Sequence, residues 1–352
     1  MTTNLYEPTE TAPGGGPGSE PRPPRPGLAR VLNARTFEAS LLTIAFAFVI
    51  IGFGVARPHT FLQWSNFTSI FGTNSVEFVL VMALLVPLTN GDLDMSVAEI
   101  SGLTSVLVAW LNVSHGWGIV PAIVVGLVAA TLCGVVNGWV VVRFDVNPFI
   151  ITLATGSVMD GIAFWLSNQQ TIPGVSHALA EWTFLHHFLS IPLAFWYGVV
   201  IMLIMWYVLT FTPFGQRALF VGQSREVARL SGFKVGATRF RGFVIAGFIA
   251  GISGVISDGV LGSATAGPGT LLLSVYAAVF LGLTTIQPGR FNAIGAGLSV
   301  FFLATGVSGM ELVGAQTYVQ SIFYGAILVI AVVFSRVINR RRSAAATATA
   351  KT

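Results

Sequence analysis

The sequence predicts an all-α polytopic membrane protein of about ten transmembrane helices, with both termini in the cytoplasm. Three observations lead there. The 352-residue chain is 54% hydrophobic and only 9% charged, with a mean hydropathy of +0.78; an average soluble domain carries about a quarter charged residues. The apolar residues gather into segments near the ~20 residues needed to cross a hydrocarbon core. When those segments are threaded across a bilayer, the basic residues fall almost entirely on one side.

The chain opens on "TAPGGGPGSEPRPPRPG", which is rich in Pro and Gly and has too few apolar residues to bury a core, so residues 1–37 are expected to be a disordered cytoplasmic tail. No secretory signal is visible, because the first long apolar run begins near Ala39 and lacks a small-residue cleavage site. Apolar segments then run over 38–56, 75–90, 95–112, 118–142, 147–168, 192–211, 240–262, 271–284, 292–309 and 316–335. The second, third and eighth are short or interrupted by glycine. Together they define a membrane domain over 38–336, followed by a basic cytoplasmic tail over 337–352 that ends "RRRSAAATATAKT". Of all the basic residues only Arg57 falls outside. The net charge of +4 is thus a topology signal and implies no nucleic-acid partner.

Two outward segments have visible character. "TFLQWSNFTSIFG" sets Phe61, Trp64, Phe67, Ile70 and Phe71 at helical spacing, which suits an amphipathic helix at the membrane interface. The loop over 168–192 carries His177, Glu181, Trp182, His186 and His187, but the spacing matches no tight metal-ligand set. It reads as an interfacial or partner-facing loop. The single cysteine, Cys133, lies in an apolar segment and reads as a small buried hydrophobe.

The long inside connection, 212–241, is the most informative. Ser224 is placed to cap a short helix over 224–230, and Gly232 to end it. A loop that merely fixed topology would explain the charges but not an ordered unit, which looks built to dock a partner.

Carboxylates in apolar surroundings need an account, because each costs on the order of 3 kcal/mol in hydrocarbon. Asp92, Asp94 and Glu99 interrupt the second and third segments. One reading is a proton or sodium site of an ion-coupled secondary transporter. The other is a break at the cytoplasmic end of two short spans, with Asp94 and Ser96 capping the third. A second break is expected at "GSATAGPGT", and broken helices point to a translocation path. Asp160 and Asp258 lie near outer ends where water is close, and Asp145 reads as a surface pair with Arg143. Gly247, Gly251 and Gly254 form a small-residue face for close helix packing. A path for a neutral polar solute needs hydroxyl and amide groups, which Asn137, Asn147, Thr152, Thr155 and Ser157 supply; the same groups also tie membrane helices together.

Four stretches, "LTNGDLDMSV", "NGWVVVRFDVNPFIITLATGSVMDGIAFWL", "GQSREVARLSGFKV" and "GSATAGPGTLLLSVYAAVFLGLTTIQPGRFNAIGAGLSVFF", occur in an order that resembles the permease subunits of bacterial ribose-type sugar ABC importers. The resemblance runs from about Val76 to Ser335. The family's G-x-I-D-L-S-V-G appears as Gly91 to Ala98, which places Asp94 at the acidic position and Ala98 in place of the last glycine. P-F-I-x-T-L-x-T matches Pro148, Phe149, Ile150, Thr152, Leu153 and Thr155. E-A-A-R-L-S-G matches Glu226, Val227, Ala228, Arg229, Leu230, Ser231 and Gly232, with Val227 in place of an alanine.

The resemblance implies a type II ABC importer-like permease in the bacterial inner membrane. Its partners would be cytoplasmic ABC ATPase subunits, a second permease copy or a related permease, and a periplasmic or lipid-anchored solute-binding protein. Residues Glu226, Ala228, Arg229, Leu230, Ser231 and Gly232 would couple to the ATPase. Asp94, Ser96, Asn137, Asn147, Phe149, Thr152 and Thr155 are the candidate path. The expected solute is a monosaccharide, sugar alcohol or similar small polar molecule; nucleosides, autoinducers and branched-chain amino acids are the alternatives within the class. A phosphate-binding loop needs Lys before Ser or Thr, and the two lysines, Lys234 and Lys351, follow Phe233 and Ala350 outside any glycine-rich turn of that kind. ATP would therefore be bound by another polypeptide. No catalytic residue, cofactor or metal is singled out.

Overall fold

The computed structural model describes residues 28–267 and 271–350, with side chains over 42–267 and 271–334. The tail expected over 1–37 lies largely outside these residues. Helix α1 spans Leu28–Ala56, the short α2 Pro58–Phe61, and α3 Trp64–Thr73, which meets α4, Ser75–Thr89, at a bend of 44°. After an irregular break come α5, Val97–Ala109, extended by a π-helical turn Trp110–Ser114, then α6, Ile119–Arg143, and α7, Pro148–Ser167. On the second half α8 is His177–Ala180, α9 Leu193–Phe211, α10 Pro213–Gln223, α11 Arg225–Leu230, α12 Val235–Leu261, α13 Leu271–Gly282, α14 Ala293–Leu312 and α15 Thr317–Ala350. Helical backbone thus extends past the tail boundaries drawn at 37 and 337.

Among the described residues seven helices are long and apolar enough to cross a membrane, or eight if α3 and α4 form one broken span. With the shorter apolar helices Leu42–Ala56 and Leu271–Gly282, each of the ten apolar segments has its helix. Strand among the described residues is confined to two-residue pairs, β1 Ile172–Pro173 with β4 Ser263–Ala264, and β2 His187–Phe188 with β3 Ile191–Pro192. The first pair ties the loop over 168–192 to the end of α12, and the second is a hairpin within that loop. The stretch over 60–72 folds into the end of α2 and most of α3, and α3 joins α4 at the bend.

Helix α4 is the centre of the molecule. Every residue from Ser75 to Thr89 is buried, as expected of a helix that is apolar on all sides. Against it lies α12, which also packs on α5 and α6. The approach is close because α6 turns a stripe of Ala122, Gly126, Ala130, Gly134 and Gly138, spaced by four, toward its neighbours. The glycine face expected on α12 meets this stripe: a Cβ on Gly247 would lie 2.7 Å from the Ala130 carbonyl oxygen, and one on Gly251 2.6 Å from Ala130 Cβ. Helices α6, α7, α9 and α15 leave most of their apolar surface facing outward.

Candidate functional site

The site is built around the break between α4 and α5, residues 90–96. Pro87 removes one amide from the last turn of α4, and Gly91 takes a left-handed φ of 76° while donating its N–H to Leu88 O. The chain then turns so that Asp92 N–H returns to Pro87 O at 3.0 Å. No L residue with a Cβ fits the neighbouring surface at Gly222 of α10 without striking the backbone of Thr89. Helix α10 is thus pressed directly onto the break.

Asp92 is fully buried and bound by two arginines. Arg239, on α12 and 3% exposed, donates Nε to Oδ2 at 2.9 Å and Nη2 to Oδ1 at 2.8 Å, a two-pronged pairing that suits a desolvated carboxylate. Arg225, the first residue of α11, donates Nη2 to Asp92 Oδ1 at 2.7 Å and to Gly91 O at 3.0 Å. Sequence reasoning missed this arrangement. Asp145 is drawn into it as well, with Oδ1 3.5 Å from Arg239 Nη1, so it does not form the surface pair expected with Arg143.

Asp94 and Ser96 do not cap α5 as expected. Ser96 is the residue before the helix, and its hydroxyl donates to Asp94 Oδ1 at 2.6 Å, while its N–H donates to the same oxygen at 2.9 Å. The reason is a stronger set of partners across the bundle. Asn137 Nδ2 on α6 donates to Ser96 Oγ at 2.8 Å, and the Thr155 hydroxyl on α7 donates to Asn137 Oδ1 at 2.6 Å. Thr152 Oγ1 accepts from Met95 N–H at 2.9 Å and donates to Pro148 O. From α13 the Tyr276 hydroxyl reaches Asp94 O at 2.9 Å. Five of the seven candidate path residues, Asp94, Ser96, Asn137, Thr152 and Thr155, therefore form one hydrogen-bonded cluster that holds the break to α6, α7 and α13.

The other two stand apart. Asn147 caps α7, its Oδ1 accepting from Phe149 N–H at 3.0 Å, and Phe149 is 37% exposed. Asn147 lines an open cavity of about 400 Å³ with Gly91, Leu93, Asp145 and Arg225, the last from the loop over 212–241. Glu99 points toward α7, where a Cβ on Gly156 would lie 3.6 Å from its Oε2. Asp258 is not near water as expected; it is fully buried where α12 faces α5, and the Ser105 hydroxyl donates to its Oδ1.

The loop over 212–241 folds as its residues indicate. Ser224 Oγ accepts from Val227 N–H at 3.3 Å, and Gly232 leaves the helix with a φ of 82° as Phe233 N–H returns to Ala228 O. Its faces differ. Ala228 is fully buried against Val221, Val235 and Phe220, so it supports the unit and does not present itself to a partner. Glu226, Arg229, Leu230, Ser231 and Gly232 are exposed, Leu230 at 83%.

A family model described as branched-chain amino acid transport system / permease component matches residues 75–332. The chain is 31% identical to the ribose import permease protein of Bacillus subtilis strain 168, over 83% of this chain and 90% of the relative. It is 27% identical to the D-allose transport system permease protein of Escherichia coli K12, over 84% and 90%. Similarity of 27%, over 83% and 89%, extends to the autoinducer 2 import system permease protein LsrD of Salmonella paratyphi A. No solved structure matches significantly.

Proposed function

The chain belongs to the branched-chain amino acid transport system permease family, and from that premise we propose that it forms the translocation path of an ATP-driven importer for a monosaccharide, sugar alcohol or similar small polar solute. Its membrane-embedded helices make it the multi-pass subunit of such a system in the bacterial inner membrane. ATP is hydrolysed by separate ABC subunits in the cytoplasm, a solute-binding protein delivers from the outer side, and a second permease copy or a related permease completes the path. The relatives named for ribose, D-allose and autoinducer 2 support an oxygen-rich solute over a branched-chain amino acid.

One observation carries the mechanism: Arg225 is at once the first residue of the exposed α11 and a ligand of the broken span at Gly91 and Asp92. An ATPase that grips Glu226, Arg229, Leu230, Ser231 and Gly232 pulls through Arg225 on the break. The cluster of Asp94, Ser96, Asn137, Thr152 and Thr155 carries that displacement into α6 and α7, where access to the path changes. Two discrete arrangements of such a packed, hydrogen-bonded cluster are what transmits motion between sites.

The ion-coupled alternative asks Asp92, Asp94 and Glu99 to bind a proton or sodium. Asp92 is already matched by two guanidinium groups, and both Ser96 donors occupy one oxygen of Asp94. The test is reconstitution of the chain in liposomes with an ABC ATPase and a solute-binding protein of a ribose-type importer. Uptake of D-ribose or D-allose should require ATP, stop with vanadate and survive an ionophore. Uptake by this chain alone that collapses with the ionophore would overturn the assignment.

A further inference from the structure

A second polar site lies at the far end of α4 from the coupling loop, roughly 20 Å away at the rise of a helix. There α3, α4, α13, α14 and α15 enclose a cavity of about 530 Å³, within the size range of small-molecule sites. Its walls carry Glu77, Glu311, Asn74, Gln320 and Tyr324, along with several hydroxyl side chains. Glu77 is 6% exposed, lines the cavity, and its Oε1 has no hydrogen-bond partner among the described residues. A buried carboxylate oxygen without a hydrogen-bond partner is costly and calls for one from outside the chain. On the opposite wall the Gln320 amide donates to Glu311 Oε1, which orients that carboxylate.

We propose that this cavity holds the transported solute, an uncharged polyhydroxylated molecule whose hydroxyls donate to Glu77 and Glu311. The inference rests on the reading of the chain as a permease and adds where the solute sits. The chemistry selects the class. A carboxylate accepts only, so it seeks O–H donors. No Lys or Arg lines the cavity among the described residues, so a phosphorylated or carboxylated solute meets two negative charges without compensation. The Asn74 amide already donates to Ile70 O and Thr73 Oγ1 and the Gln320 amide to Glu311, so the carboxylates look to the solute for O–H donors. A sugar hydroxyl both donates and accepts, which suits walls of carboxylate, amide and hydroxyl groups.

The test uses the complete reconstituted transporter carrying Cys133→Ser and Ser321→Cys, the second of these on the cavity wall. With D-ribose or D-allose at ten times the dissociation constant, labelling of the new thiol by a methanethiosulfonate reagent should slow about tenfold. Ribose 5-phosphate should give no protection. In parallel, Glu77→Gln should lower sugar uptake about tenfold while ATP hydrolysis stimulated by the binding protein persists, and Glu77→Asp should recover part of the loss. Labelling that ignores both sugars, or that responds to sodium instead, overturns the proposal, as does wild-type uptake by Glu77→Gln. In those cases sugar import by the wild-type transporter leaves the permease reading standing; its absence overturns that reading itself.

Discussion

Asp92 is the residue on which the two halves of the chain meet. Its carboxylate is fully buried, and Arg239 beside it is 3% exposed, so neither charge has water to fall back on. Removing one member of such a pair leaves the other uncompensated, and Asp92→Asn should destabilise the protein by about 3 kcal/mol. Unfolding in mixed micelles measures this; a loss below about 1 kcal/mol would place the pair with exposed salt bridges and remove its structural role. None of this is legible in sequence. Asp92, Asp94 and Glu99 look alike in a string of letters, and the partners of Asp92 lie 133 and 147 positions away. Capping by Asp94 and Ser96 was a sound local expectation, defeated by Asn137 from another helix. Glu77 was passed over because a lone acid near the start of an apolar segment looks like an interfacial residue.

At the scale of the element, α11 shows how much a short segment reveals by itself. Its cap, its length and its glycine stop follow from local chemistry, so Ser224 and Gly232 are readable in the sequence. Which side faces outward is not, because six residues carry no periodicity and Ala228 is as small as any exposed alanine. The structure separates a buried face from an exposed one, and the separation gives a clean experiment. Leu230→Glu changes an 83% exposed side chain, so stability should move by less than about 0.5 kcal/mol. Sugar uptake should nevertheless fall at least about tenfold, as one desolvated interface contact is lost. Normal uptake together with normal co-purification of the ATPase would show that α11 is not the contact. Gly232 makes a poorer probe, since its φ of 82° strains any side chain placed there.

At the scale of the molecule, hydropathy alone located every apolar helix, because the bilayer leaves so few ways to satisfy a backbone. The bends and breaks, where function concentrates, depend on contacts between distant spans. Orientation is open to a direct check in cells carrying Cys133→Ser. Leu230→Cys, in the coupling loop, should react with a membrane-impermeant maleimide only after permeabilisation, whereas Trp182→Cys, 62% exposed in the loop between α7 and α9, should react in intact cells. The reverse pattern would invert the topology drawn from the arginines. The pairing of Asp92 with Arg239 also sets a clock on biogenesis. Arg239 follows by 147 residues, which at roughly 5–20 residues per second separates their synthesis by about 7 to 30 s. Through that interval the nascent first half carries at its break an acid whose two-pronged arginine partner has yet to be made.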